Sequence, residues 1–249
     1  MFTTDDRSRV RNSLVAHARI DPNIIGAAVV GSGARDEEDQ WSDIDLVLQL
    51  EASAAEPSIV EDWTDWIDKQ FGVADTFDVF AGGVRYRVCL LSSSLQIDLS
   101  FWPHDQFRAT ETKFRLLFGT ANQPTVAPSP DLEKTIGMGW LYALHARSAI
   151  ARGKVWQAVM MLDELRNEVI ALMCLRLDLN AWHGRDADTL PEEAQQGLRQ
   201  SRASTITTDS LDNSLVALSA LLLTEIEWHE PNRAEQLRAP FAALSTNVR

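Results

Sequence analysis

Cysteine is scarce: the 249-residue chain has two, Cys89 and Cys174. They sit inside the apolar runs Val88 to Leu91 and Leu172 to Leu175, and two thiols in so long a chain make no disulfide framework. Both read as core thiols of a cytosolic protein. Long apolar runs are missing too, since the longest, Leu215 to Leu223, is less than half of the ~20 residues a membrane span needs. The N-terminal segment lacks the basic start and apolar core of a signal peptide, so a soluble, cytoplasmic chain is expected. Positive charge is also short, with 23 Lys and Arg against 36 Asp and Glu and a net charge of -13. Such a field repels nucleic-acid phosphates and anionic lipid and attracts cations, which disfavours nucleic-acid and membrane partners. There is no His/Cys cluster with zinc spacing, no internal repeat and no low-complexity tract.

What the chain does have is apolar mass: 45% hydrophobic residues, with eight Trp and nine Phe, enough to build a real core and to argue against disorder. Its length favours two domains over one. Pro124, Pro128 and Pro130 punctuate a short polar stretch, so a linker is expected at Pro124 to Pro130, between domains at 1–125 and 126–249. The first part carries 20 acidic and 11 basic residues, the second 16 and 12.

Hydrophobic periodicity differs on the two sides. Before the linker, Ile24 to Val30, Ile44 to Leu50, Thr76 to Ala81, Val84 to Leu91 and Leu95 to Trp102 read as strands, with helices at Asp6 to Arg19 and Ser58 to Phe71. The last two strands flank Ser92-Ser93-Ser94 as an antiparallel hairpin, so the sheet is mixed. After the linker, Asp131 to Ala151, Lys154 to Leu177, Pro191 to Ser201, Ser210 to Trp228 and Arg233 to Leu244 carry helical periodicity. The expected class is α+β: an N-terminal mixed-sheet domain, then an all-α helical bundle.

One segment carries chemistry. Val29-Val30-Gly31-Ser32-Gly33-Ala34-Arg35 is a strand running into a Gly-Ser turn that opens a short helix, which aims backbone amides and a hydroxyl at one spot suited to phosphate. A polar loop then leads to Ser42-Asp43-Ile44-Asp45-Leu46. Two aspartates two apart on a strand share a face, and their repulsion is relieved by a hard divalent cation, Mg²⁺ most naturally. Asp98, inside the apolar strand Leu95 to Trp102, is costly to bury without a partner. If its strand lies beside that of Asp43 and Asp45, the three carboxylates converge on one metal site.

With these residues in hand, the chain resembles the nucleotidyltransferase superfamily that includes polymerase β, whose motif is Gly-Ser, a variable loop, Asp-x-Asp and a later acid on a strand. Gly31-Ser32, Asp43-Ile44-Asp45 and Asp98 match it over about 70 residues. The wording of the motif, the length and the helical second half are similar to the aminoglycoside and lincosamide nucleotidyltransferases. The resemblance implies in-line transfer of a nucleoside monophosphate from Mg·ATP or another NTP to an acceptor hydroxyl, with two metal ions. It implies that Asp43 and Asp45 bridge the metals, that Asp98 completes the second site or takes the acceptor proton, and that Ser32 and the Gly31 to Gly33 amides hold phosphates. Arg35 would reach a phosphate or pair with Asp36 or Glu38, in an acidic loop, 36–40, otherwise read as solvated.

The acceptor is the least legible part. A net negative chain suits a cationic, hydroxylated small molecule such as an aminoglycoside or lincosamide antibiotic, with the helical half binding it. Trp156, Met160, Asp163, Asn167 and Ile170 fall on one helical stripe, and Asp163 is the residue expected to hold an ammonium group, with Arg166 either beside it in the site or as a plain ion-pair partner. Glu164 falls on the more polar side. His145 and Trp102 read more readily as structural residues than as ligand contacts. Two other readings stand: nucleotidylation of a protein or a tRNA, and a catalytically silent nucleotide-binding or antitoxin-like regulatory module.

Overall fold

In a computed structural model, which describes residues 2–35, 38–109, 114–125 and 130–244, the chain divides into two compact units, Met1–Ala127 and Pro128–Arg249. Four of the residues expected to form the linker, 126–129, lie outside the described residues. No described helix is long and apolar enough to cross a membrane.

The first unit runs α1 (Thr4–Ile20), β1 (Ile24–Val30), β2 (Ile44–Leu50), α2 (Glu56–Phe71), β3 (Val73–Ala81), β4 (Val84–Leu91), β5 (Gln96–Trp102) and β6 (Phe114–Phe118). The strands form one six-stranded sheet in the order β3-β4-β5-β2-β1-β6. All neighbours are antiparallel except β2 and β5, which are parallel. A capping box, with the Thr3 hydroxyl accepting from the Asp6 amide and the Asp6 carboxylate from Thr3, starts α1. Period-2 alternation sorts the faces: Ile44, Leu46 and Leu48 of β2 and Ile97, Leu99 and Phe101 of β5 pack with Val10 and Leu14 of α1 and Ile59, Trp63 and Ile67 of α2. Each such side chain, removed from water, contributes roughly 1.5–3 kcal/mol. Cys89 lies in this layer, and burial pushes its thiol up to about 11, as expected of a core thiol.

The opposite face holds a smaller cluster, Ala28, Val47, Val84, Trp102 and Phe107. Trp102, only 7% exposed, donates its indole N–H to Ser100 Oγ at 3.0 Å and is a core ring there. β6 was not legible in the sequence: it is five residues long, with Arg115 interrupting its apolar positions, and is identified as a strand only by pairing along β1.

The second unit holds α3 (Leu132–Ala151), α4 (Val155–Arg176), α5 (Glu192–Gln200), α6 (Thr208–His229) and α7 (Pro231–Ala242). Asp131 caps α3 through the Lys134 amide and Thr207 caps α6 through that of Ser210. Gly153, at φ 65°, turns the chain from α3 into α4. Small residues such as Ala143 and Ala146 pack against Leu165, Val169, Leu215 and Leu222 in the bundle core. Buried Glu225 takes two hydrogen bonds from Arg176, at 2.9 and 3.1 Å.

In the first unit, the His17 imidazole stacks on Trp66, ring centroids 4.0 Å apart, and meets Trp63 edge-on at 4.7 Å. Burial lowers its pKa below 6.5, and the nearby Asp21 carboxylate opposes the shift. The unfolded chain then binds a proton more readily than the folded one, so the contribution is full above about pH 6.5 and lost as pH falls through the folded pKa. Thermal unfolding midpoints are expected to fall between pH 7.5 and 5.5, and to fall less for His17→Phe, which keeps a ring in the stack.

Candidate active site

The parallel pairing of β2 with β5 sets the site. Asp45 and Asp98 are direct register partners, flanked by Ile44 with Ile97 and Leu46 with Leu99, whose side chains go to the core face. Both acids therefore stand on the opposite face, joined by Asp43, the residue just before β2. One carboxylate oxygen from each of the three lies within 4.8 Å of the others, and all three residues are half-buried. Among the described residues this is the one such group of His, Cys, Asp or Glu side chains. Burial pushes the Asp98 carboxyl up, Asp43 pushes it further, and a 3.0 Å hydrogen bond from Gln96 Nε2 pulls against both. Three close carboxylates, an all-oxygen donor set and repulsion between two of its members fit a hard divalent cation such as Mg²⁺.

The glycine turn abuts these acids. Gly31 to Ala34 form a single 3-10 turn where a short helix was expected, and Arg35 follows it, exposed. Gly31 has φ +64°, and a Cβ there would run into Asp45 Oδ2. The conformation demands glycine at this position, and any side chain there would also have to displace the Asp45 carboxylate. Ser32 is half-buried in the turn, and Gly33 is packed so closely on Val29 that a Cβ would come within 2.8 Å of its Cγ1.

Side chains that the sequence did not single out hold the turn and the loop after it. Arg115 of β6 donates to the Gly33 carbonyl at 2.7 Å. Arg7 of α1, 3% exposed, donates to the carbonyls of Asp39 and, at 3.4 Å, Ser42, and lies 3.5 Å from Glu38. Arg11 pairs with the same Glu38. The described part of loop 36–40 is thus no merely solvated loop: Glu38 is a nearly buried acid between two arginines, because loop and helix need a neutralised contact where they meet. A signal existed in the sequence, since Arg7 occupies the same helical stripe as the buried Val10, Leu14 and Ala18.

The residues expected to meet an acceptor are on α4, in the second unit. Asp163 is exposed and pairs with Arg166 at 2.5 Å, an i,i+3 ion pair; Arg166 also donates to the Ser201 carbonyl at 3.4 Å. Trp156, Met160 and Asn167 of the same stripe are exposed, as is His145 on α3. Further along α4, burial and the neighbouring Glu164 push the Glu168 carboxyl up.

Neither a protein-family profile nor any characterised protein sequence matches the chain. Among solved structures, an aminoglycoside 6-adenyltransferase from Bacillus subtilis is similar over 99% of this chain and all of its own, at 11% identity and a TM-score of 0.42. A nucleotidyltransferase-like protein from Exiguobacterium sibiricum is similar over 94% of this chain and 80% of its own, at 14% identity and a TM-score of 0.38.

Arg7→Met is expected to lower stability by about 3 kcal/mol, the low end for breaking a buried ion pair because Arg11 still neutralises Glu38. Urea unfolding measures the loss, and amide exchange at Trp41 and Ser42 should quicken more than exchange in β2.

Proposed function

We propose that the chain is a Mg²⁺-dependent nucleotidyltransferase, moving AMP from ATP to a hydroxyl of a small, cationic acceptor of the aminoglycoside or lincosamide kind. The observation that carries this reading is the cluster of Asp43, Asp45 and Asp98 within 4.8 Å, on one face of a parallel strand pair and against a glycine turn. Asp43, Asp45 and Asp98 would hold the metal, which when bound neutralises the triphosphate and the charge that develops in transfer. Ser32 and the backbone amides of Gly31 to Gly33 would take the phosphates beyond the one attacked, with Arg35 close behind the turn. The acceptor oxygen bonds to the α-phosphorus, the bond from that phosphorus to the bridging oxygen breaks, and pyrophosphate leaves with the electron pair. The hydroxyl's proton passes to Asp98.

A first unit whose acids outnumber its bases favours the binding of a cation and disfavours tRNA as acceptor. A catalytically silent module would bind nucleotide without turnover, so mass spectrometry of aminoglycosides and lincosamides after incubation with Mg·ATP separates it from an enzyme.

Three substitutions test the acids. Asp43→Asn or Asp45→Asn is expected to abolish transfer and Mg²⁺-dependent binding of a non-hydrolysable ATP analogue in calorimetry, with the fold intact; undiminished binding in both would end the metal assignment. Asp98→Asn is expected to lower turnover by ~10² or more with little change in nucleotide affinity, whereas an unchanged rate would remove Asp98 from the chemistry.

A further inference from the structure

The acids stand in a row that continues across the sheet. Asp45 of β2 is the register partner of Asp98 on β5, Asp98 of Val88 on β4, and Val88 of Phe77 on β3. Directly paired residues share a face, so Phe77 and Val88 stand on the same side of the sheet as the carboxylates. The next row repeats the pattern with Val79 and Tyr86. Among the described residues nothing covers this end of the face: Phe77 is 59% exposed, Val79 43% and Leu90, one pair further along, 46%. Asp75, the partner of Leu90, is exposed at its rim. An apolar shelf thus begins one strand beyond Asp98 and reaches about 10 Å from it, two strand spacings.

Resting on the nucleotidyl-transfer reading, we propose that this shelf seats the acceptor, and that the acceptor is amphiphilic: a hydroxylated molecule with a flat apolar face beside its reacting hydroxyl. In-line displacement places the nucleophile opposite the leaving pyrophosphate. The glycine turn follows β1, on the far side of β2 from β5, so with pyrophosphate at that turn the attacking hydroxyl comes over Asp98 from the β4 side. The nucleoside departs from an equatorial oxygen of the phosphorus and leaves that approach to the acceptor. The body of a molecule whose hydroxyl sits at Asp98 then lies over Val88, Tyr86 and Phe77, where a ring or hydrocarbon face buries more apolar surface than a polar sugar does, which favours the more apolar members of the proposed acceptor class. Asp75 at the rim suits an ammonium group on the same molecule.

Two small alcohols probe this without knowledge of the acceptor. Benzyl alcohol, with an aromatic face beside its hydroxyl, is expected at millimolar concentration to shift the backbone amide signals of Phe77, Val79 and Val88 in the full chain, and glycerol is not. Phe77→Ser, at a position 59% exposed and outside the core, should weaken benzyl alcohol binding at least fivefold. With Mg·ATP, pyrophosphate release should be at least tenfold faster with benzyl alcohol than with glycerol, and Phe77→Ser should erase that preference. Equal shifts or equal release from the two alcohols would overturn the proposal, as would a wild-type dimer in sedimentation that Phe77→Ser converts to monomer, since the shelf would then be a contact between copies. Shelf binding with no pyrophosphate release would overturn the acceptor role; if Mg·nucleotide also failed to bind in calorimetry, the fault would lie in the nucleotidyl-transfer reading itself.

Discussion

Everything at the acid cluster depends on one parallel strand pair in an otherwise antiparallel sheet. A parallel pair cannot be closed by a tight turn, so the chain leaves β2, crosses through α2, turns through β3 and β4 and returns as β5 alongside β2. That excursion brings Asp98 level with Asp45 in the register. A slip of one residue would send Asp98 into the layer of Leu99 and Trp63, where a carboxylate has no partner. The apolar residues on either side of each acid hold the register, and the core that stabilises the sheet also aligns its least favourable charges.

Those charges come with local compensations. Gln96 gives Asp98 a hydrogen bond, and the turn beside Asp45 is left without side chains at Gly31. The approach to Asp43 is held from behind, where Arg7, Arg11 and Glu38 tie α1 to the loop that enters β2. Buried ionic contacts of this kind contribute little net stability beside an apolar alternative, yet they are demanding in geometry, which suits a loop whose position matters more than its strength.

The sequence disclosed the regular elements well, because their patterns are strong. Ile24 to Val30, Ile44 to Leu50 and Val84 to Leu91 alternate or run apolar between clear breaks, and their ends in the structure are those the pattern implies. The convergence of Asp43, Asp45 and Asp98 was legible as a condition, that their strands be neighbours, and that condition holds. What could not be read was whatever depends on contacts between distant segments. β6 has too few residues and too mixed a pattern to declare itself without β1 beside it, and Glu38 looks like any acid of a polar loop until Arg7 and Arg11 are placed next to it. Asp163 shows the opposite limit: helical spacing correctly put Arg166 within its reach, but spacing cannot tell an ion pair from a ligand contact.

The anchoring of the glycine turn by Arg115 bears on how the protein is made. Synthesis runs from the N-terminus, so α1, the turn and all three acids leave the ribosome before β6 does, and β1 remains an open edge in the meantime. Until residue 115 emerges, the Gly33 carbonyl lacks its guanidinium and the Ala27 to Val30 backbone is free to pair with another chain. The short, inconspicuous strand is thus the clasp of the first unit: nascent chains stalled ahead of it would carry every acid of the site and still present a sticky edge, which makes that interval the one in which a chaperone has most to offer.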